Sequence, residues 1–134
     1  MYENILLPID RGYDSNEKSA KEAIKFAKAF GSNIHVLHVK VYQDNRLKNK
    51  EEIEPIENMR HFFKNQSQIN NINYIVTEGK PSDEICNFVT EENIDLIIMA
   101  THSRGWLGKF TLGSLTDETI QNASCPVLTM THDI

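Results

Sequence analysis

Leu96-Ile97-Ile98-Met99-Ala100-Thr101-His102-Ser103-Arg104-Gly105-Trp106-Leu107-Gly108-Lys109-Phe110-Thr111-Leu112-Gly113-Ser114 is the stretch that decides the fold. The apolar run Leu96 to Met99 reads as a strand covered on both faces. It passes into a polar, glycine-bearing loop that ends at Gly113-Ser114, where helical patterning resumes. Strand, loop and helix start in that order are how α/β folds hold an anion. Glycine lets the backbone come close to a ligand, and the first free N–H groups of a helix, with its dipole, favour negative charge. The loop is therefore a candidate phosphate site.

Upstream, Asn4-Ile5-Leu6-Leu7-Pro8-Ile9 places apolar residues on consecutive positions and predicts a buried first strand. Pro8 near its end predicts that the ladder stops there. Asp10 opens a loop through Ser15, and Asp14 with Glu17 resembles a capping box. The helix that follows carries the stripe Ala20, Ala23, Ile24, Ala27 and Phe30, and Gly31 ends it as a C-cap. Asn33 to Val41 is the second strand. The polar stretch Tyr42 to Glu52 has Arg46, Lys48 and Lys50 ahead of Glu51 and Glu52, which suits a solvated loop better than a binding patch. A second helix is expected from near Pro55, tolerated in a first turn, with Ile56, Met59, Phe62, Phe63 and Ile69 on its apolar face. Ile72 to Thr77 reads as a third strand. Gly79, Pro81 and Ser82 then turn into a third helix that buries Ile85, Phe88 and Val89. A fourth helix is expected from about Ser114 to Asn122, and a last strand at Val127 to Met130.

Strands alternating with helices, joined by connections too long for hairpins, predict an α/β fold: an open five-stranded parallel sheet with helices on both faces. In such sheets ligands sit beyond the carboxyl ends of the strands, where the strand order reverses. Asp10, after the first strand, and the loop from Ala100 to Gly113, after the fourth, then share one edge. Strand order itself is not readable from these residues.

At 134 residues the chain is expected to form one domain, 1–134, burying roughly two thirds of its unfolded surface. Charged residues at 25% and hydrophobic ones at 40% exclude a disordered or fibrous class. The net charge of −5 argues against a nucleic-acid or anionic-membrane partner, since both favour a basic face. It leaves room for a phosphate ligand held by backbone N–H groups. Cys86 and Cys125 occur with no CxxC and no His at metal-ligand spacing, so a buried, reduced pair and no metal site are expected. Met1-Tyr2-Glu3-Asn4 has no basic n-region and no apolar run approaches a membrane span, so a cytoplasmic protein is expected.

Taken together, the chain resembles the universal stress protein family, small α/β domains many of which bind ATP. The resemblance rests on Asn4 to Asp10, Val36-Leu37-His38-Val39, Glu78-Gly79-Lys80-Pro81, Ile98 to Gly105, and Gly113-Ser114 through Cys125-Pro126-Val127. It implies a Rossmann-like sheet of the adenine nucleotide alpha hydrolase type. Nucleotide-binding members carry GxxG, nine residues, then G followed by S or T. Here the spacing is intact, with Ala100 and Ser103 in place of the first two glycines and Gly113-Ser114 closing the pattern. If either position needs φ > 0, its Cβ costs about 1 kcal/mol; if it needs only close approach, the cost depends on clearance. Ser103 could compensate with a hydroxyl donor to phosphate oxygen.

Residue by residue, the resemblance implies that Pro8 and Asp10 lie at the nucleotide, Asp10 accepting from ribose hydroxyls. From the residues alone Asp10 also reads as a cap or turn residue after the strand. Val39 matches the position whose backbone meets the adenine edge. Met99, Ala100, Thr101, His102 and Ser103 match the turn along ribose and phosphates. Gly113, Ser114, Leu115 and Thr116 match the segment that holds the phosphate tail. Ser114, with Asp117 three residues on, also reads as an ordinary helix N-cap. Arg104 and Lys109 flank the loop as phosphate contacts or as a solvated face, and Trp106 either covers the loop or is partly exposed.

No GxxxxGK[ST], GxSxG or HExxH motif and no close carboxylate pair suggests an enzyme, so no catalytic residue is assigned. The leading expectation is an ATP-binding stress-response module, with Mg²⁺ bridging the phosphates. The alternatives are a nucleotide-free interaction module and a slow ATPase. The resemblance also implies a homodimer through Val127 to Met130, whose apolar edge invites pairing.

Overall fold

The computed structural model describes residues 1–10, 13–40, 49–66, 68–69, 71–101 and 113–131, with the side chains of 13–15, 49–54 and 131 excepted. The expectations for His102, Ser103, Arg104, Trp106 and Lys109, and for 42–48, lie outside these residues. The elements are β1 (Asn4–Ile9), α1 (Tyr13–Phe30), β2 (Asn33–Lys40), α2 (Asn49–Phe63), β3 (Ile72–Glu78), α3 (Pro81–Glu91), β4 (Leu96–Thr101), α4 (Ser114–Asn122) and β5 (Val127–Thr131). The strands form one parallel sheet in the order β3-β2-β1-β4-β5.

The consecutive apolar residues of the inner strands divide between two layers because successive side chains point to opposite faces. Ile5, Leu7, Ile34, Val36, Leu96 and Ile98 join Ala20, Ala23 and Ala27 of α1 and Ile56, Met59 and Phe63 of α2. Leu6, Leu37, Ile97 and Met99 join Ile85 and Val89 of α3, with Leu115 of α4 packed against them. The alanine stripe on α1 brings that helix close to the sheet. Gly31, at φ 70, ends α1 and returns its N–H to the Ala27 carbonyl, as a C-cap glycine does.

The sheet is tied at its amino edge. The Asp95 carboxylate accepts from the N–H groups of Glu3 (2.9 Å) and Asn4 (3.2 Å). The Asp95 N–H in turn donates to the Asn4 carbonyl at 3.0 Å. Beyond this clasp β1 pairs with β4 only through Ile5↔Leu96 and Leu6↔Ile97, whereas its ladder with β2 continues to Ile9↔His38. Asn4 offers its carbonyl to the β4 side, so Leu6 and Pro8, at alternate positions, face the same side. Pro8 has no N–H to give there. The proline thus ends one ladder and leaves the other running, where the sequence predicted a simple stop.

Three helix boundaries differ from expectation. Helix α2 begins at Asn49, and Pro55 lies inside it rather than in its first turn. Ile69 falls beyond that helix but still packs into the core at 8% exposure. Helix α1 starts at Tyr13, ahead of Asp14, so Asp14 is a helical residue and not the cap of a box. Phe30 is 45% exposed, stacked edge-on against Tyr2. Among the described residues no helix is long and apolar enough to cross a membrane.

Candidate functional site

The strand order reverses between β1 and β4, and it is there, at the carboxyl ends, that these two strands part. An open crevice occupies the gap, lined by Pro8, Ile9, Asp10, Asn16, Met99, Ala100 and Leu115. This is the place where open α/β sheets take ligands. Pro8, Met99 and Leu115 give it an apolar wall. Asp10, exposed directly after β1, is the carboxylate among its lining residues.

The start of α4 closes one side. Gly113, at φ 78 and ψ 149, is the N-cap, and its carbonyl accepts the first helical bond from the Asp117 N–H at 3.1 Å. The N–H groups of Ser114, Leu115 and Thr116 therefore precede the first intrahelical bond and are available to an acceptor outside the helix. The Ser114 hydroxyl does not cap α4: Ser114 is the first helical residue, and no side-chain hydrogen bond caps the helix. Gly113 takes the cap because its positive φ is one that serine tolerates poorly.

Of the sequence-predicted residues, the crevice gathers Pro8, Asp10, Met99, Ala100 and Leu115. Val39 lies near the end of β2, one residue past the last β1–β2 pair and opposite Thr77 of β3. Thr101 is 2% exposed, with its hydroxyl directed at the Met130 carbonyl at 3.5 Å, and Thr116 is 4% exposed. Gly113 and Ser114 are exposed at the head of α4. His102 and Ser103 are outside the described residues. Ala100 resolves one alternative left open by the sequence. It is a β4 residue paired with Met130 and has no positive φ, so its Cβ strains no backbone. The replacement of glycine there is a matter of clearance alone.

Two residues that hold the backbone at the site were given no role there from the sequence. Asn16, in the first turns of α1 and 6% exposed, holds both backbone groups of Asp10: its Oδ1 accepts from the Asp10 N–H at 3.1 Å, and its Nδ2 donates to the Asp10 carbonyl at 2.6 Å. His38, 5% exposed, donates from Nδ1 to the Ile9 carbonyl at 3.3 Å. A signal for Asn16 existed. It extends the Ala20, Ala23, Ala27 stripe by four residues, and a polar residue on a buried stripe needs a partner.

Away from the site, Cys86 and Cys125 are free but half-buried, not buried as expected. Burial raises both thiols, Asp83 adding to the rise at Cys86; Cys125 reaches about 11, with Asp95 and then Cys86 adding to its rise. His35, at the opposite end of the sheet, is held below the ordinary histidine value by burial, with Glu92 opposing.

The sequence profile of the universal stress protein family matches residues 1–130. This chain belongs to the universal stress protein family. Among its relatives is universal stress protein MJ0531 of Methanocaldococcus jannaschii, 28% identical over 141 residues that cover 96% of this chain and 81% of the relative. The solved structure of protein MJ0577, also of Methanocaldococcus jannaschii, superposes with a TM-score of 0.84 at 28% identity, covering 99% of this chain and 98% of that one. Two universal stress protein structures share the fold at lower identity. One, from Archaeoglobus fulgidus, is in complex with dAMP (TM-score 0.74, 20% identity, 96% and 97% covered). The other is in complex with cAMP (TM-score 0.76, 16% identity, 98% of each chain covered). The universal stress protein fold thus carries its crevice, in this chain, at the parted ends of β1 and β4.

Proposed function

We propose that this universal stress protein binds an adenine nucleotide in the β1/β4 crevice, with ATP the ligand expected, and works as a homodimeric stress-response module. The observation that carries the proposal is the crevice itself, where the Asp10 carboxylate and the head of α4 face a gap at the point of strand reversal. Ribose hydroxyls suit the carboxylate, and a phosphate tail suits the first N–H groups of α4. Relatives of the same fold in complex with dAMP and cAMP support the ligand class. Among the described residues no group of three or more His, Cys, Asp or Glu could hold a metal ion. Any Mg²⁺ would then be held chiefly by the phosphates, as that ion commonly is. The ligand shifts the protein between states only by its differential affinity for them, which is how such a module acts as a switch.

Among the described residues strand β5 is an edge of the sheet, and an edge strand supports the pairing proposed for the dimer. Sedimentation at micromolar concentration tests this half of the proposal, and a monomer refutes it. The nucleotide half is tested by denaturing freshly purified protein, identifying released nucleotide by mass spectrometry, and titrating ATP with Mg²⁺ into the stripped protein by calorimetry. Saturable binding near one per chain is expected. Empty protein and no heat up to millimolar ATP would favour the nucleotide-free interaction module instead.

A further inference from the structure

Asp10 is the first residue past β1, where the strand has lost its neighbour on the β4 side. By alternation with Asn4, its backbone N–H and carbonyl face that side, as those of Leu6 and Pro8 do. A residue there would ordinarily hand both groups to water and move freely. Here the buried side chain of Asn16 takes both at once, at 3.1 and 2.6 Å, as a strand neighbour would. An amide is the side-chain group that can do this, since it offers a donor and an acceptor side by side. Asn16 is itself fixed: it belongs to α1, and Ser19, 1% exposed, donates its hydroxyl to the Asn16 carbonyl at 3.2 Å. The preceding residue is held from the other side, where His38 donates to the Ile9 carbonyl. The backbone that carries the Asp10 carboxylate is thus fastened to β2 through one residue and to α1 through the next, although Asp10 itself is exposed.

We infer that Asn16 is the positioning residue for Asp10: by holding that backbone it makes the ribose contact read above for the Asp10 carboxylate selective for ribose hydroxyls. The inference rests on the nucleotide reading above and adds to it a residue that touches no ligand but sets discrimination between ribose and a sugar lacking those hydroxyls. A carboxylate on a free chain end gives up much of its interaction energy in becoming ordered; one fastened at its own backbone does not. Hydrogen bonds to a charged group that depend on this order correspond to about tenfold to a hundredfold in affinity.

The test compares calorimetric affinities for ATP and 2′,3′-dideoxy-ATP, both with Mg²⁺, in the wild type, Asn16→Ala, Asp10→Ala and the double variant. The wild type is expected to prefer ATP by about tenfold or more. Asn16→Ala and Asp10→Ala should each bind dideoxy-ATP within about twofold of the wild type while losing the preference for ATP, and the double variant should lose no more than either single one. Asn16→Asp, which keeps an acceptor for the Asp10 N–H but has no donor for its carbonyl, should lose part of the preference. If Asn16→Ala keeps the wild-type preference, or weakens both ligands equally, the inference is overturned while the nucleotide reading stands. A wild type that binds both ligands without preference has the same meaning. A wild type that binds neither removes both readings. A measurement on the unaltered protein guards against variants that do not fold. The Asp10 amide should exchange with solvent as slowly as those of β1, and fast exchange there refutes the clasp.

Discussion

Gly113→Ala isolates a backbone effect at the head of α4. At φ 78 and ψ 149 the residue occupies a region of conformational space used almost only by glycine. A Cβ built there meets no atom of the described residues within 4 Å, so crowding against them contributes nothing and the penalty is taken as conformational. Strain of this kind costs about 1–3 kcal/mol. The loss of chain freedom in the unfolded state returns about 0.4–1 kcal/mol, which leaves a net destabilisation of about 1–2 kcal/mol. For a chain of 134 residues this lowers Tm by roughly 3–10 °C. Urea unfolding at constant m reads the difference directly, and Ser114→Ala is the companion variant. Since no side-chain hydrogen bond caps α4 and Ser114 is exposed, that change should stay within about 0.5 kcal/mol. Should α4 relieve the strain by fraying, the Asp117 amide, which donates to the Gly113 carbonyl, exchanges faster. A Gly113→Ala protein as stable as the wild type with unchanged Asp117 exchange, or a Ser114→Ala protein that loses more than 1 kcal/mol, refutes this account of the cap.

Protonation of His35 supplies a second prediction. Its folded pKa lies below 6.5, so between that value and 6.5 the unfolded chain binds more protons and stability falls as pH falls. Urea midpoints from pH 8 to 5 should decline in that window, and His35→Gln should flatten the decline; an identical slope in the variant removes His35 as its source. Cys125, pushed up to about 11 from 9.0, should react with iodoacetamide at pH 8 about a hundredfold more slowly than a free peptide thiol, and labelling at the peptide rate contradicts its burial. Ala100→Gly should lower stability by about 0.5–1 kcal/mol, because glycine weakens an extended strand, yet change ATP affinity by less than about threefold. Tightening of tenfold or more would mean that the Ala100 Cβ obstructs the ligand.

Much of the fold was legible because inner parallel strands need apolar residues on both faces. Ile5-Leu6-Leu7 and Leu96 to Met99 announce themselves in that way. Strand order was not legible, since no local pattern records which strands become neighbours. The start of α2 was not legible because Asn49 to Glu54 is polar but for Ile53, and Pro55 suggested a boundary that tertiary packing of Ile56 and Met59 overrides. At the site, the family resemblance named Asp10 and Ala100, which line the crevice, but not the residue that holds Asp10. Ser114 has the chemistry of a cap, yet the backbone gives that place to Gly113, a choice made by dihedral angles rather than residue type. Asn16 and His38 act through the backbone of other residues, which leaves a trace in the sequence only as a polar residue where an apolar one is expected.

The crevice exists because the sheet withholds partners in a definite order along one edge of β1. Asp95 ties β1 to β4 at the amino end, so the two strands start together. Pairing proceeds through Leu6↔Ile97 and then meets Pro8, which has no donor for β4. Had Asp10 been left to water beyond this point, the gap would end in a frayed strand. Asn16 prevents this by giving β1 a substitute neighbour from α1, so the strands part while both remain ordered. Beneath the gap lies the core, where Leu6, Ile97 and Met99 are 3% exposed or less. Proline at position 8 and asparagine at 16 line that opening from two separate elements, and glycine at 113 caps the helix whose Leu115 lines it too. Each breaks a local preference, for continuing a ladder, an apolar stripe or an ordinary dihedral.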